Sequence, residues 1–295
     1  MRIVVTGREG QVVRSLLERA AGSEVMIVPL GRPDFDLTSA PNAIEATIEA
    51  AQPDVIVSAA AYTQVDKAET QSDLAFAVNE AGPRAIARQA RKLDVPLIHL
   101  STDYVFDGAK TSPYLETDDP HPQGVYGASK LAGERAVLAE SRNSVVLRTA
   151  WVYSPFGSNF VKTMLKLAAD RNEIRVVSDQ HGNPTSALDI ADGISRIAAN
   201  LLAQPDPNLR GIFHMTGGGE ATWAEFAEAI FAASADCGGP KAKIKRICAS
   251  DYPTAARRPA NSRLDSRKLA ATHGVVLPDW HSSLVKVVSR LTNAD

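Results

Sequence analysis

Cysteine is scarce in this sequence: two in 295 residues, Cys237 and Cys248. Two thiols make no disulfide framework, and such usage fits a reducing, cytoplasmic setting. The six histidines (His99, His121, His181, His214, His273 and His281) never fall at His-x3-His spacing or beside a cysteine pair. That excludes the common zinc patterns. A Gly-x4-Gly-Lys-Ser/Thr loop is missing, so phosphoryl transfer on a P-loop is not indicated. A Gly-x-Ser-x-Gly elbow is missing too, which removes the usual hydrolase signal. No apolar run approaches the ~20 residues of a membrane span. The apolar piece after Arg2, Ile3 to Val5, is too short for a signal-peptide core. Neither charge dominates: 32 basic against 34 acidic side chains leave a net charge of −2. A dedicated nucleic-acid binder would be basic. The expected partners therefore include neither nucleic acid nor membrane.

What is present reads as a globular α/β chain. Hydrophobic residues make up 44% and charged residues 22%, and at roughly 150 residues per domain the length suggests about two domains. Arg2–Thr6, Glu24–Leu30, Val55–Ser58, Leu97–Ser101 and Ser144–Arg148 are short β-branched or apolar runs, the pattern of buried parallel strands. Between them 11–21, 42–51, 73–93 and 126–139 carry helical spacing, and Pro, Asp and Gly crowd a long loop over 107–124. Alternation of this kind predicts a Rossmann-type doubly wound parallel sheet over 1–150. A smaller C-terminal α/β substrate domain is expected over 151–295. The boundary is soft, because segments near 174–215 are of a kind that returns to the first sheet.

Ligands of such sheets bind outside the carboxyl ends of the strands. Gly7 and Gly10 follow the first strand and open a helix at Gln11 and Val12, where glycine backbone and a helix N-terminus suit a pyrophosphate. Val13 stands where a third glycine would let the helix pack closer, so that helix is expected slightly farther out. The second strand ends in Leu30-Gly31-Arg32 with no acid before Asp34 and Asp36. An arginine here suits the 2′-phosphate of NADPH, with NADH the less favoured cofactor. Asp36 and Leu37 are expected beside the adenine. Farther on, Tyr126 and Lys130 stand four apart at the start of a helix and share one face. A nearby ammonium favours the phenolate and would bring the phenol down from its usual pKa of ~10. Tyr126 can then give a proton to a carbonyl oxygen, with Thr102, at an upstream strand end, binding the same oxygen.

These pieces together are similar to the extended short-chain dehydrogenase/reductase family, and within it to the branch that reduces 4-keto nucleotide sugars. The stretches that carry the resemblance are Thr6-Gly7 to Gln11-Val12, Ala59 to Glu69, Ser101 to Gly108, Tyr126 to Glu134, Arg148 to Tyr153, Asp179 to Thr185, and Arg257-Arg258-Pro259 with Asn261-Ser262. The Val65-Asp66-Lys67-Ala68-Glu69 and Arg-Arg-Pro pieces are far more specific than a Tyr-x3-Lys pair. The resemblance implies hydride transfer from NAD(P)H to the 4-keto carbon of dTDP-4-dehydro-β-L-rhamnose. It gives Tyr126 the proton, Thr102 the carbonyl, and Lys130 the nicotinamide ribose and the phenol pKa. It sets Ala61, Tyr62 and Thr63 against the cofactor, Asp103 and Trp151 at the sugar, and Arg258 at the diphosphate.

One departure from the family concerns metal. Some members hold Mg²⁺ between subunits through glutamates, and Arg14 and Leu188 occupy those positions here. Neither can ligate Mg²⁺, so no metal site is expected, and the chain is expected as a monomer or a homodimer made without metal. Two other roles share these motifs: a different nucleotide-sugar reductase or epimerase of the same fold, and a non-catalytic NADP-binding regulatory subunit. A 4,6-dehydratase would carry an acid after Thr102-Asp103, where this chain has Tyr104. Retention of Thr102, Tyr126 and Lys130 together favours catalysis.

Overall fold

A computed structural model describes residues 1–293 of the chain. The first half alternates strand and helix: β1 (Arg2–Thr6), α1 (Gln11–Ala20), β2 (Met26–Leu30), α2 (Pro41–Ala50), β3 (Val55–Ser58), α3 (Val65–Ala68), α4 (Ser72–Phe76), α5 (Gly82–Leu93), β4 (Leu97–Thr102), α6 (Val125–Glu140) and β5 (Ser144–Thr149). Every residue of β3, β4 and β5 is buried. Strands covered on both faces read as continuous apolar runs, which is why they were visible in sequence. The single helix expected over 73–93 is instead two helices joined by a π turn, Ala77–Ala81. Pro83 has no N–H to offer the carbonyl of Asn79 four residues back, so the α ladder cannot run through that turn. The displaced Asn79 carbonyl abuts Gly133 of α6, where a Cβ would run into it. Glycine at 133 therefore lets α6 lie directly against the turn.

The second half adds β6 (Val152–Tyr153), α7 (Phe160–Asp170), β7 (Glu173–Val177), β8 (His181–Gly182), β9 (Thr185–Ser186), α8 (Ala187–Ala203), β10 (Gly211–His214), β11 (Ala221–Thr222), α9 (Trp223–Asp236), β12 (Lys243–Ile247), α10 (Arg267–His273) and α11 (Trp280–Thr292). Of the 174–215 segment, β10 pairs in parallel with β5 and completes a six-stranded sheet of order β10-β5-β4-β3-β1-β2. Helix α8 covers the same sheet: Ile190, Ile194 and Ile197 share a core with Ile3, Val57 and Leu147. By contrast β7 stays with the later elements and pairs with β12. A second core joins Tyr153, Val161, Ile174, Phe226, Ile230, Trp280 and Leu284. Among the described residues, no helix is long and apolar enough to cross a membrane.

Strand order reverses between β1 and β3, with β2 on one side and β4 on the other. Such a switch point opens a crevice at the strand ends. Thr6 fixes its mouth, its hydroxyl accepting the Ala59 and Ala60 amides at 3.0 Å each.

Candidate active site

Two adjoining cavities of 540 Å³ each form a bent cleft over this switch point. One arm runs from the Gly7–Gly10 turn to Tyr126, Lys130 and Thr149. The other passes Gly31, Arg32, Asp36 and Leu37. Ala61 and Thr63 line both arms, and Tyr62 the second. At the bend Gly7 has φ +102°, a conformation that side chains rarely adopt. Buried Val13 fills the space above it, its Cγ2 3.3 Å from where a Gly7 Cβ would sit. Gly10 caps α1 with no side-chain bond, so no cap side chain takes up the first amides of α1, and Gln11 and Val12 line the cleft, as an anion site at a helix start requires. The side chain of Gln11 is not available to a ligand. Its amide donates to the Val152 carbonyl (3.3 Å) and accepts from Ser154 (2.8 Å) and Asn159 (2.9 Å). Only the Gln11 backbone is left to face the cleft, and the side chain ties α1 to the 152–159 loop.

At the far end of the second arm, Arg32 donates to Asp36 at 2.6 Å, and Asp36 also caps Thr38. Sequence reasoning passed over Arg8. It lies inside the glycine turn, donates to the Arg32 carbonyl (3.2 Å) and pairs with Asp34 (2.6 Å). Two guanidinium groups therefore stand at this rim.

Helix α6 brings Tyr126 and Lys130 to the cleft on one face. Lys130 is buried and its Nζ donates to the Leu100 carbonyl at 2.6 Å. Burial pulls its pKa down to about 8, against an upward pull from Glu134. Tyr126 is half-buried by area, but protein crowds its hydroxyl. Burial pushes its pKa up to about 12, with Thr102 pulling down and Asp103 pushing up. The expected lowering by Lys130 is therefore corrected: burial raises the phenol, Thr102 is the group that pulls it down, and the Lys130 ammonium is turned to a backbone carbonyl. The phenol stands in its acid form.

Thr102 ends β4, 6% exposed, beside the Tyr126 phenol rather than on the cleft wall. Its hydroxyl donates to Asp103 Oδ1 at 2.9 Å. Asp103 is buried, and burial raises its carboxyl to about 6 although Ser262 and Thr102 oppose this. Among the described residues, its Oδ2 and Thr149 Oγ1 on the neighbouring strand have no hydrogen-bond partner, as polar atoms waiting for a polar ligand would. Asn79, also missed in sequence, clamps the Tyr62 backbone at 2.8 and 3.1 Å and donates to Ser129 of α6. No local sequence signal marks it, because an asparagine in a helical run reads as a solvent-facing amide and its burial follows only from the fold.

Trp151, expected at the sugar, has φ +46° and stacks on Trp223 with ring centroids 3.5 Å apart. Arg258 donates to Asp66 at 2.8 Å and borders a 440 Å³ depression with Gln180 and Tyr252. It also lies beside Tyr104, which meets Tyr126 edge-on. The Tyr126 end of the cleft and the arginine are thus linked through one ring. Among the described residues, no group of three or more His, Cys, Asp or Glu side chains converges as metal ligands would. Arg14 instead pairs with Glu9 and lies 5.3 Å over the Phe156 ring, and Leu188 packs on the second core.

Comparison with known proteins shows the family and the fold. The family model described as RmlD substrate binding domain matches residues 1–293. A protein named dTDP-4-dehydrorhamnose reductase from Sinorhizobium fredii is 51% identical over 98% of this chain and 97% of its own length. A Clostridium acetobutylicum dTDP-4-dehydrorhamnose reductase crystal structure superposes with a TM-score of 0.91 at 35% identity, covering 99% of each chain. The Bacillus anthracis dTDP-4-dehydrorhamnose reductase, solved in complex with NADP, gives 0.89 at 32% identity, covering 97% of this chain and 98% of its own. With a family model spanning nearly the whole chain and a relative at 51% identity, this chain belongs to the dTDP-4-dehydrorhamnose reductase family.

Proposed function

We propose that this chain reduces the 4-keto group of dTDP-4-dehydro-β-L-rhamnose to give dTDP-β-L-rhamnose, using NADPH in preference to NADH. The observation that carries the proposal is the convergence of Tyr126 and Lys130 on the cleft that the Gly7 turn opens, with Thr102 beside the phenol. The bent cleft fits a dinucleotide: the first α1 amides for its pyrophosphate, Asp36 and Leu37 for its adenosine, and Arg32 with Arg8 for a 2′-phosphate. When bound, the dihydronicotinamide supplies the hydride.

The protein's own part is to bind, orient and move one proton. Lys130, ionised below about pH 8, holds ribose hydroxyls and lends positive charge beside Tyr126. Thr102, its hydroxyl turning from Asp103 when sugar enters, donates its one hydrogen bond to the ketone oxygen. Tyr126, kept protonated by burial, passes its hydroxyl proton to that oxygen as the new alcohol forms, a step contributing roughly 10²–10⁴-fold. The phenolate left behind is favoured by the Lys130 ammonium until solvent restores the proton. Trp151 and Asp103 border the sugar, and Arg258, whose planar fork suits phosphate, meets the diphosphate. Residues 1–150, with α8 and β10, make the cofactor half. The remainder makes the substrate half, in a cytoplasmic protein that is a monomer or a metal-free dimer.

The test is absorbance of the reduced cofactor during incubation with dTDP-4-dehydro-β-L-rhamnose, run with NADPH and with NADH. Oxidation of NADPH, faster than of NADH, supports the proposal. No oxidation with any 4-keto nucleotide sugar would favour a non-catalytic NADP-binding role.

A further inference from the structure

One turn beyond Lys130 on α6 lies a charged cluster that the reaction above does not use. Glu134 follows Lys130 by four residues, as Lys130 follows Tyr126, so the three stack along one side of the helix. Its carboxylate is 1% exposed. Arg148 of β5, equally buried, grips it with two bonds, Nε at 2.9 Å and Nη2 at 2.7 Å. Ser101 donates to the same carboxylate at 2.5 Å.

The position of Ser101 is the informative part. It stands between Leu100, whose carbonyl takes the Lys130 ammonium, and Thr102, whose hydroxyl serves the ketone. Register across β4 and β5 pairs Ser101 with Arg148. The Arg148–Glu134–Ser101 chain therefore reaches the one strand end on which Lys130 and Thr102 both depend. A buried ion pair adds little net stability compared with apolar side chains of the same size, so packing alone gives no reason for charge here.

We propose that Glu134 is a positioning residue for the reduction: it gives Lys130 a fixed counter-charge and, through Ser101, straps the Leu100–Thr102 strand end in the geometry that Tyr126 requires. This deepens the reductase reading and rests on it. Other titratable groups around Lys130 do not supply the counter-charge. On α6, Tyr126 stays neutral. On β4, His99 is held well below its usual range by burial and by Lys130 itself. On β5, Arg148 is positive. Asp103, at the β4 end, lies against Thr102 and Tyr126.

The test is the pH profile of kcat/KM for Glu134→Gln, which keeps the shape and a hydrogen-bonding group but removes the charge. We expect a folded protein, with a lowered melting temperature because Arg148 is left buried and unpaired, whose alkaline limb has moved toward acid by about one pH unit, the size of a nearby opposite charge. If that variant does not fold, Glu134→Gln with Arg148→Met removes both buried charges, and the limb is still expected on the acid side of wild type. Ser101→Ala leaves the ion pair intact. It should lower kcat about fivefold or more while leaving the limb in place, an effect of about 1 kcal/mol. A folded Glu134→Gln or double variant with the wild-type limb would overturn the counter-charge, and a Ser101→Ala enzyme with wild-type kcat would overturn the strap. Wild-type turnover of the 4-keto sugar, measured alongside, keeps either failure distinct from failure of the reductase reading.

Discussion

Tyr104 stands edge-on to Tyr126, ring centroids 5.5 Å apart at an interplanar angle of 75°. Its other side faces Arg258, and burial drives its own hydroxyl far above the usual phenol range, so it stays neutral. Tyr104 thus acts as a wall that fixes one ring and fronts one guanidinium. Edge-to-face pairs contribute ~0.5–1.5 kcal/mol beyond burial. Tyr104→Leu should therefore lower kcat about two- to tenfold through a looser Tyr126, whereas Tyr104→Phe, which keeps the ring, should stay within about twofold. Steady-state rates at saturating NADPH and sugar separate the two.

The pH dependence follows from Lys130. Burial lowers its pKa to about 8, and the phenol beside it is raised to about 12. Below pH 8 the ammonium is charged and the phenol protonated, the pair that reduction needs. As pH rises through about 8 the ammonium is lost first, so kcat/KM should fall on the alkaline side with a midpoint near 8. Lys130→Met should remove that limb and most of the activity.

Cofactor choice tests the rim. Arg32 is exposed and held by Asp36. A hydrogen bond to a charged partner contributes ~1.5–3 kcal/mol when sheltered and less in water. Arg32→Ala should reduce kcat/KM for NADPH about tenfold while changing NADH by less than about twofold. Arg8→Ala should move the ratio in the same direction. Equal losses with both cofactors would show that these arginines do not read the 2′-phosphate.

Asp103 carries a stability signature. Its carboxyl is raised to about 6 in the folded chain from an ordinary 3.8, so folding favours the protonated form. That stability is present below about pH 4 and lost as pH rises through about 6. A shift of this size corresponds to roughly 1–3 kcal/mol. Asp103→Asn, which cannot ionise, should show a smaller fall in melting temperature than wild type between pH 4 and 6.5.

Much of this was legible in the chain. Buried parallel strands announce themselves as apolar runs, and the Gly7 turn and the Tyr126–Lys130 pair sit at strand and helix ends that sequence locates well. What could not be read depends on partners far along the chain. The engagement of Gln11 with residues 152–159, the pairing of Arg258 with Asp66, and the stacking of Trp151 on Trp223 each join segments that nothing local connects. The π turn was decipherable in principle, since Pro83 interrupts an otherwise helical run. So was α11, where Trp280, Leu284, Val287, Val288 and Leu291 repeat at helical spacing. The direction of the Tyr126 shift was not: spacing reveals the neighbouring ammonium, but only the packed structure reveals how strongly the phenol is desolvated.

The most direct measurement compares wild type with Tyr126→Phe in NADPH oxidation by dTDP-4-dehydro-β-L-rhamnose, alongside NADPH affinity by equilibrium titration. The predicted result is a loss of kcat of at least about 10²-fold with NADPH affinity within about threefold of wild type. A variant that turns over at the wild-type rate would contradict Tyr126 as the proton donor and with it the mechanism built on this cleft.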